Sequence, residues 1–140
     1  MQIKIKNKEI MFAISFLRNL VAKGKTSLAR SQAIVLLERK EKEFTDDRKM
    51  IIEEHAEKDS DGKPITNDDG TYQLTSEGNQ NAGKAITELL EEDAVIQYGE
   101  YTSKLNDLEK FLNEYDGDVS GDDAQGFFAL VTAFETKEDK

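Results

Sequence analysis

Residues 27–58 read SLARSQAIVLLERKEKEFTDDRKMIIEEHAEK and contain neither Gly nor Pro. Because Gly and Pro are the strongest helix interrupters, and Ala, Leu, Arg, Glu and Lys favour helix, the stretch predicts one continuous helix. Its apolar stripe is narrow and interrupted by charge, which predicts a seam: Ala33, Leu37, Phe44, Ile51 and His55. A second group widens the stripe at both ends, so we expect covered ends and a partly solvated middle: Leu28, Val35, Leu36, Met50 and Ile52.

The residues before this helix predict a strand and a shorter helix. QIKIK at 2–6 alternates polar and apolar residues, as a strand with one buried face does. Asn7 is a candidate N-cap for a helix over about 8–22 with a broad apolar face. Gly24 suits the left-handed turn that ends such a helix, and Thr26 or Ser27 can cap the next one.

Beyond residue 58 the pattern becomes turn-rich. We expect an exposed hairpin excursion over about 59–75, in which 63–66 pairs with 71–74 across an Asn67–Gly70 turn. A hairpin this small needs a helix to pack on. A helix over 76–92 and a strand at 93–98, DAVIQY, follow, and this strand is the natural partner of QIKIK.

The end of the chain predicts two more helices. Thr102 or Ser103 can cap one that ends near 115, and Ser120 with Asp123 resembles a capping box for the other. The last helix carries apolar residues that include Phe128, and its tail at about 136–140 should fray. The fold class is therefore α+β, mainly α: a single domain over 1–140 with a long central helix and a small two- or three-stranded sheet.

Charge is distributed unevenly along the chain. Residues 1–58 hold 13 Lys and Arg against 9 Asp and Glu, whereas residues 59–140 hold 6 against 20, a net charge of −14. Such a surface repels nucleic acid and acidic membranes and attracts a basic partner, although acidity also simply keeps small proteins soluble. Cysteine is absent, and no apolar run approaches the roughly 20 residues that cross a bilayer. Residues 9–22 read as a buried helix rather than a signal segment, so we expect a cytoplasmic protein.

Two short motifs are weak. Gly24-Lys25-Thr26 matches the end of a phosphate-binding loop, but the first Gly of that motif is replaced by Asn19. An EF-hand calcium loop would start at Asp116 and place Asp118, Ser120 and Gly121 correctly, but its closing Glu is replaced by Phe127. A Gly turn before a Ser-capped helix explains the same residues.

The single histidine, His55, is flanked by glutamates. A catalytic role would require a cleft and an orienting partner, which the sequence does not indicate. We therefore expect no catalytic, cofactor or metal residue.

Two blocks of the chain resemble a known family. They are IKIKNKEIMFAISFLRNLVAKGKTSLARSQAIVLLERKEKEF and ELLEEDAVIQYGEYTSKLNDLEKFLNEYDGDVSGDDAQGFFALVTAFE. Together they resemble small acidic proteins of unknown function from tailed phages and prophages of Gram-positive bacteria. The resemblance implies a phage origin and the host cytoplasm as location, and it carries over no functional residue.

Two functional hypotheses follow. In the first, a non-enzymatic binding protein antagonises a host protein that handles nucleic acid, for example a CRISPR-type defence nuclease, by offering carboxylates in place of phosphates. The candidate contact residues are Asp68, Asp69, Glu91, Glu92, Asp116, Asp118, Asp122 and Asp123. In the second, a virion or assembly accessory protein binds through the seam of the long helix. In either case the protein would be a monomer or a homodimer without cofactor.

Overall fold

A computed structural model describes residues 1–139 of the chain. In order, the elements are β1 (Gln2–Lys6), a 3-10 turn (Asn7–Glu9), α1 (Ile10–Asn19), α2 (Gly24–His55), α3 (Ser76–Glu91), β2 (Asp93–Gln97), a 3-10 turn (Gly99–Tyr101), α4 (Thr102–Glu114) and α5 (Gly121–Glu135). The predicted fold class is confirmed, because the described chain is mainly helical with one small antiparallel sheet.

The sheet joins the two predicted strands. β1 and β2 pair antiparallel, with Ile3 opposite Ile96 and Ile5 opposite Ala94. These four side chains are buried on one face, as the alternation of QIKIK predicts. The pairing of QIKIK with DAVIQY is therefore confirmed.

By its internal contacts the chain divides into two compact units. The core unit comprises residues 1–41 and the chain from residue 93 onward, and the other, the 42–92 unit, comprises residues 42–92. The division falls within α2. A single domain over residues 1–140 stays a prediction.

The core unit holds a continuous apolar cluster. Its buried side chains come from both strands and from α1, α2, α4 and α5. Helices α1 and α5 pack closely, because a Cβ at Gly126 would lie 2.1 Å from the carbonyl oxygen of Phe12. Gly126 therefore lets the two backbones approach further than any side chain would allow.

The 42–92 unit buries far less. Its buried apolar residues are Ala56, Ala82 and Leu89. The start of α3 lies against the end of α2, where a Cβ at Gly78 would lie 2.7 Å from the carbonyl oxygen of His55. Thr75 caps α3, since its side-chain oxygen accepts a hydrogen bond from the Gly78 N–H at 2.9 Å.

Most of the capping predictions were wrong, including the one for α4, which begins at Thr102 itself and has Tyr101 at its N-cap position. The 3-10 turn at Asn7 is preceded by Lys6 without a side-chain cap, and α2 begins at Gly24, so Thr26 and Ser27 lie inside it. Ser120 does precede α5, but its side chain makes no capping hydrogen bond, so the predicted box with Asp123 is not formed. α1 ends at Asn19 rather than near 22, because Leu20 adopts an extended backbone.

Several apolar residues expected to be covered are exposed. On α2, Leu28 is 62%, Val35 42% and Met50 56% exposed, and Phe128 on α5 is 70% exposed. The seam prediction is confirmed at Ala33 and Leu37, which are buried. Of the second apolar group Leu36 alone is buried, so this group widens the covered stripe less than predicted.

The tail, which was predicted to fray from about residue 136, is instead hydrogen-bonded to β1 at Glu138. Gln2 donates its N–H to the Glu138 carbonyl at 2.8 Å and accepts from the Glu138 N–H at 2.9 Å. Lys4 forms an ion pair with the same glutamate at 3.1 Å, and Lys137 pairs with Glu109 at 2.7 Å. The segment thus adds one bridge to the outer edge of β1.

Candidate functional site

Negative charge is concentrated in the 42–92 unit. It holds 14 Asp and Glu against 6 Lys and Arg, a net charge of −8 in 51 residues. In the core unit 15 acidic residues are matched by 13 basic ones, for a net charge of −2. The acidic residues that follow position 92 therefore share a unit with the Lys and Arg of residues 1–41, and only the 42–92 unit keeps a large net charge.

The eight candidate contact residues fall into two sets. Asp68, Asp69, Glu91 and Glu92 belong to the 42–92 unit, whereas Asp116, Asp118, Asp122 and Asp123 belong to the core unit. All are exposed except Asp123, which is half-buried.

Two tight turns position the acidic residues of the excursion. At the first, Asp59 Oδ1 accepts hydrogen bonds from the backbone N–H groups of Asp61 (2.9 Å) and Lys63 (3.0 Å). At the second, Asp69 Oδ1 accepts from the Thr71 hydroxyl (2.6 Å) and the Thr71 N–H (3.0 Å). These bonds lower the pKa of Asp69 below its ordinary value, so this carboxylate is held ionised and also holds the turn together.

The excursion is tied to the chain that follows α2. The Glu57 carbonyl accepts a hydrogen bond from the Ile65 N–H at 2.8 Å, and the Glu57 N–H donates to the Gln73 carbonyl at 2.9 Å. The Gln73 N–H in turn donates to the Ile65 carbonyl at 2.8 Å. The Tyr72 hydroxyl donates to Glu53, which raises the pKa of Tyr72. The expected pairing across Asn67–Gly70 appears as a single bridge, Thr66 to Tyr72, rather than as two strands.

In the second acidic set, Asp116 and Asp118 lie between α4 and α5. Asp122 and Asp123 occupy the first turn of α5, where carboxylates interact favourably with the helix dipole. Gly121 begins this helix with φ +55°. These acidic residues therefore also have a structural role.

The calcium hypothesis gains no support from this connection. Phe127, at the position of the missing closing Glu, packs on Phe16 and Tyr115 with ring centroids 5.4 and 5.5 Å away. Within residues 1–139, no group of three or more His, Asp and Glu is arranged to hold a metal ion.

His55 ends α2. Its Nδ1 lies 2.8 Å from the carbonyl oxygen of Ile51, a hydrogen bond in which the ring nitrogen donates. This local contact orients the half-buried ring along its own helix.

Sequence reasoning missed the acidic surroundings of Met50. On a helix, residues three and four positions away share a face, and for this exposed methionine those residues are Asp46, Asp47, Glu53 and Glu54. Asp46 is paired with Lys42 at 2.8 Å and Glu53 accepts from Tyr72, whereas Asp47 and Glu54 have no ion pair within the described chain. The acidic residues at this spacing can be read from the sequence. They indicated no contact surface, because Met50 was expected to be covered.

None of the helices in residues 1–139 combines the length and the apolar character that a bilayer crossing requires. No curated protein and no solved structure matches the chain. One family model does, described as "Protein of unknown function (DUF1617)", and it covers residues 1–138. The expected membership of a family of unknown function is confirmed to this extent: the chain belongs to the DUF1617 family.

Proposed function

We propose that the protein is a non-enzymatic, phage-encoded binding protein that acts in the host cytoplasm by antagonising a protein that handles nucleic acid, for example a CRISPR-type defence nuclease. The observation that carries the proposal is the net charge of −8 on the 42–92 unit, beside −2 on the larger core unit.

A protein that binds nucleic acid offers clustered Lys and Arg to phosphates, and carboxylates can occupy the same cations. In the 42–92 unit, Asp68, Glu91 and Glu92 are exposed, and Asp47 and Glu54 border the exposed Met50. An exposed thioether among carboxylates suits a basic surface that also has apolar spots, because Met adapts its shape to a partner. Long-range attraction to such a surface accelerates association and weakens as salt rises.

The test compares two variants that remove the same charge. One carries Asp68→Asn, Glu91→Gln and Glu92→Gln in the 42–92 unit, and the matched control carries Asp116→Asn, Asp118→Asn and Asp122→Asn in the core unit. Asp69 is left intact because it holds a turn. Partners are captured from a Gram-positive host lysate with and without phage infection, and inhibition of purified defence nucleases is measured with each variant.

We expect the first variant to lose about tenfold or more in affinity and the control to lose several-fold less, since close charge pairs at an interface are worth more than about 1.4 kcal/mol. Equal affinities for the unmodified protein and the first variant would remove the proposed mimicry of phosphates. A larger loss in the control would move the site to the core unit.

A second candidate function is that of a virion or assembly accessory acting by protein contact. The exposed Leu28 and Val35 on α2 favour it, because these apolar residues remain 62% and 42% exposed within the described chain. Co-purification with phage particles or tail precursors is expected in that case. A free protein in infected cells would argue against it.

A further inference from the structure

The two strands of the small sheet leave two outer edges that differ in character. In an antiparallel pair, residues whose backbone groups face the partner strand alternate with residues whose backbone groups point away from it. The Tyr98 N–H donates to the Met1 carbonyl at 3.0 Å, which fixes that alternation along the register of β1 and β2. On the outer edge of β2 the outward backbone groups therefore belong to Asp93, Val95 and Gln97.

The outer edge of β1 is protected. By the same alternation its outward residues are Gln2, Lys4 and Lys6. Gln2 exchanges both of its backbone hydrogen bonds with Glu138, at 2.8 and 2.9 Å. Lysines on an edge strand disfavour the approach of a further strand. This edge is therefore unsuited to pairing with another chain.

The outer edge of β2 has no such protection. Within residues 1–139, the outward N–H and C=O groups of Asp93, Val95 and Gln97 bond to no other backbone group. The strand contains no Lys and no Pro, its register is unbroken by a bulge, and a β-branched residue stands at its centre. Asp93 and Gln97 are exposed, and Val95 is half-buried. An unpaired edge of this kind is a template for another strand.

We propose that β2 pairs antiparallel with β2 of a second copy of this chain, with the two-fold axis at Val95, to form a four-stranded sheet in the order β1–β2–β2–β1. The pairing sets Val95 against Val95 of the second copy and Asp93 against Gln97 of the second copy. All three outward residues of each copy then exchange both backbone hydrogen bonds. A two-fold contact requires a self-complementary surface. This edge provides one, because an apolar side chain meets its equivalent and each carboxylate meets an amide.

The other registers satisfy fewer groups. A slip of one residue would set the outward groups opposite residues whose own groups already bond to β1. A slip of two would leave either Asp93 or Gln97 of each copy outside the paired segment. A parallel pairing would bring Asp93 level with Asp93 of the second copy, where like charges repel. The contact is nevertheless short, and small interfaces are weak, so we expect a dissociation constant on the order of 100 μM.

Cysteine cross-linking tests the register, because the chain has no cysteine of its own. Val95→Cys should form a disulfide between copies under mild oxidation, since the Cα atoms of such a pair lie about 5.5 Å apart. Asp93→Cys alone should not, because it lies roughly 13 Å from its equivalent, whereas the double variant Asp93→Cys with Gln97→Cys should. Val21→Cys, which is exposed, controls for random collision. Cross-linking of Asp93→Cys alone at the rate of Val95→Cys, or of Val95→Cys only at the rate of Val21→Cys, would overturn the pairing.

The molar mass in solution tests the association itself. Across about 1 μM to 1 mM, a range that brackets the expected constant, the mass should rise from 15.8 kDa toward twice that value. Val95→Glu sets two carboxylates against each other at the axis and should weaken the dimer about tenfold or more. Within each copy the new carboxylate lies opposite Lys4, so circular dichroism should stay unchanged. The matched control Val95→Thr is neutral and β-branched, and it should change the dissociation constant by no more than about threefold. A constant monomer mass over this range, or equal constants for the two variants, would refute the proposal.

Discussion

The two units are stabilised in different ways. The core unit buries 22 residues in one apolar cluster, whereas the 42–92 unit buries three apolar residues and depends on turn and backbone hydrogen bonds. Apolar burial is the dominant favourable term in folding, so the core unit supplies most of the stability. The unit with the higher net charge is therefore also the one with less apolar burial.

The two features are physically linked. Charged residues cannot enter a core without large desolvation costs, so a segment with 14 acidic residues in 51 has few positions left for apolar packing. Mutual repulsion of these charges lowers stability further. The core unit can therefore serve as a stable scaffold, while the 42–92 unit presents an acidic surface.

The largest expected effect comes from truncating the core. Leu108→Ala in the core unit removes a completely buried side chain and should lower the free energy of unfolding by about 3–5 kcal/mol. Leu89→Ala in the 42–92 unit should cost about 2 kcal/mol, because its surroundings are thin and can relax into the cavity. Urea unfolding of the full chain measures both. Equal costs would show that the two units are packed to the same quality.

The next effect concerns the contact of α1 with α5. Gly126→Ala forces a Cβ to within 2.1 Å of the Phe12 carbonyl oxygen, and the required shift of backbone should cost about 2–4 kcal/mol. Gly83→Ala in α3 is the matched control, since a Cβ there meets no atom within 4 Å. This control should gain about 0.5–1 kcal/mol from helix propensity. A mild effect at Gly126 would contradict the close approach of the two helices.

Alkaline pH should weaken the core unit through Tyr98. This side chain is 1% exposed, and its burial, with a further contribution from the Glu109 carboxylate, raises its pKa from 10.0 to about 12. Because the folded-state pKa lies above the unfolded one, stability is intact below pH 10 and is lost between pH 10 and 12. The loss should reach about 2–3 kcal/mol.

Tyr98→Phe is the test of this pH dependence. The Tyr98 hydroxyl has no hydrogen-bond partner within residues 1–139, so its removal should change stability at pH 7 by less than about 1 kcal/mol. The variant should lose the extra decline between pH 10 and 12 in urea unfolding. Tyr72→Phe, in the 42–92 unit, is the control for alkaline titration elsewhere. A Tyr98→Phe protein with an unchanged alkaline decline would place its cause at another group.

Periodicity predicted what depends on local pattern. β1, β2, α3 and α4 begin and end within a few residues of their predicted bounds, because alternation and turn residues are local signals. On α2, periodicity predicted the buried stripe that contains Ala33 and Leu37, but not which neighbouring apolar residues would be exposed. The width of the buried stripe depends on how much of the helix the neighbouring elements can cover. Leu28 and Val35 were predicted to be covered, but both are exposed.

The candidate site was predicted only in part. Counting charges along the chain found the acidic second half, but the fold brings its later part, from Asp93 onward, together with the basic opening residues. Linear counting cannot anticipate this partition, which depends on the pairing of β1 with β2, some ninety positions apart in the chain. The same limit explains the tail, where Glu138 meets Gln2.

The smallest expected effect tests that tail in the core unit. Glu138→Gln removes the charge that pairs with Lys4 but leaves the backbone bridge to Gln2, so it should cost only about 0.5 kcal/mol. The loss should shrink at high salt, since ions screen a half-exposed pair. Glu135→Gln, an exposed change nearby in the sequence, is the control and should cost less in urea unfolding at low salt. If the two variants were equal at low salt, the ion pair would contribute nothing measurable, and the backbone bridge alone would hold the segment.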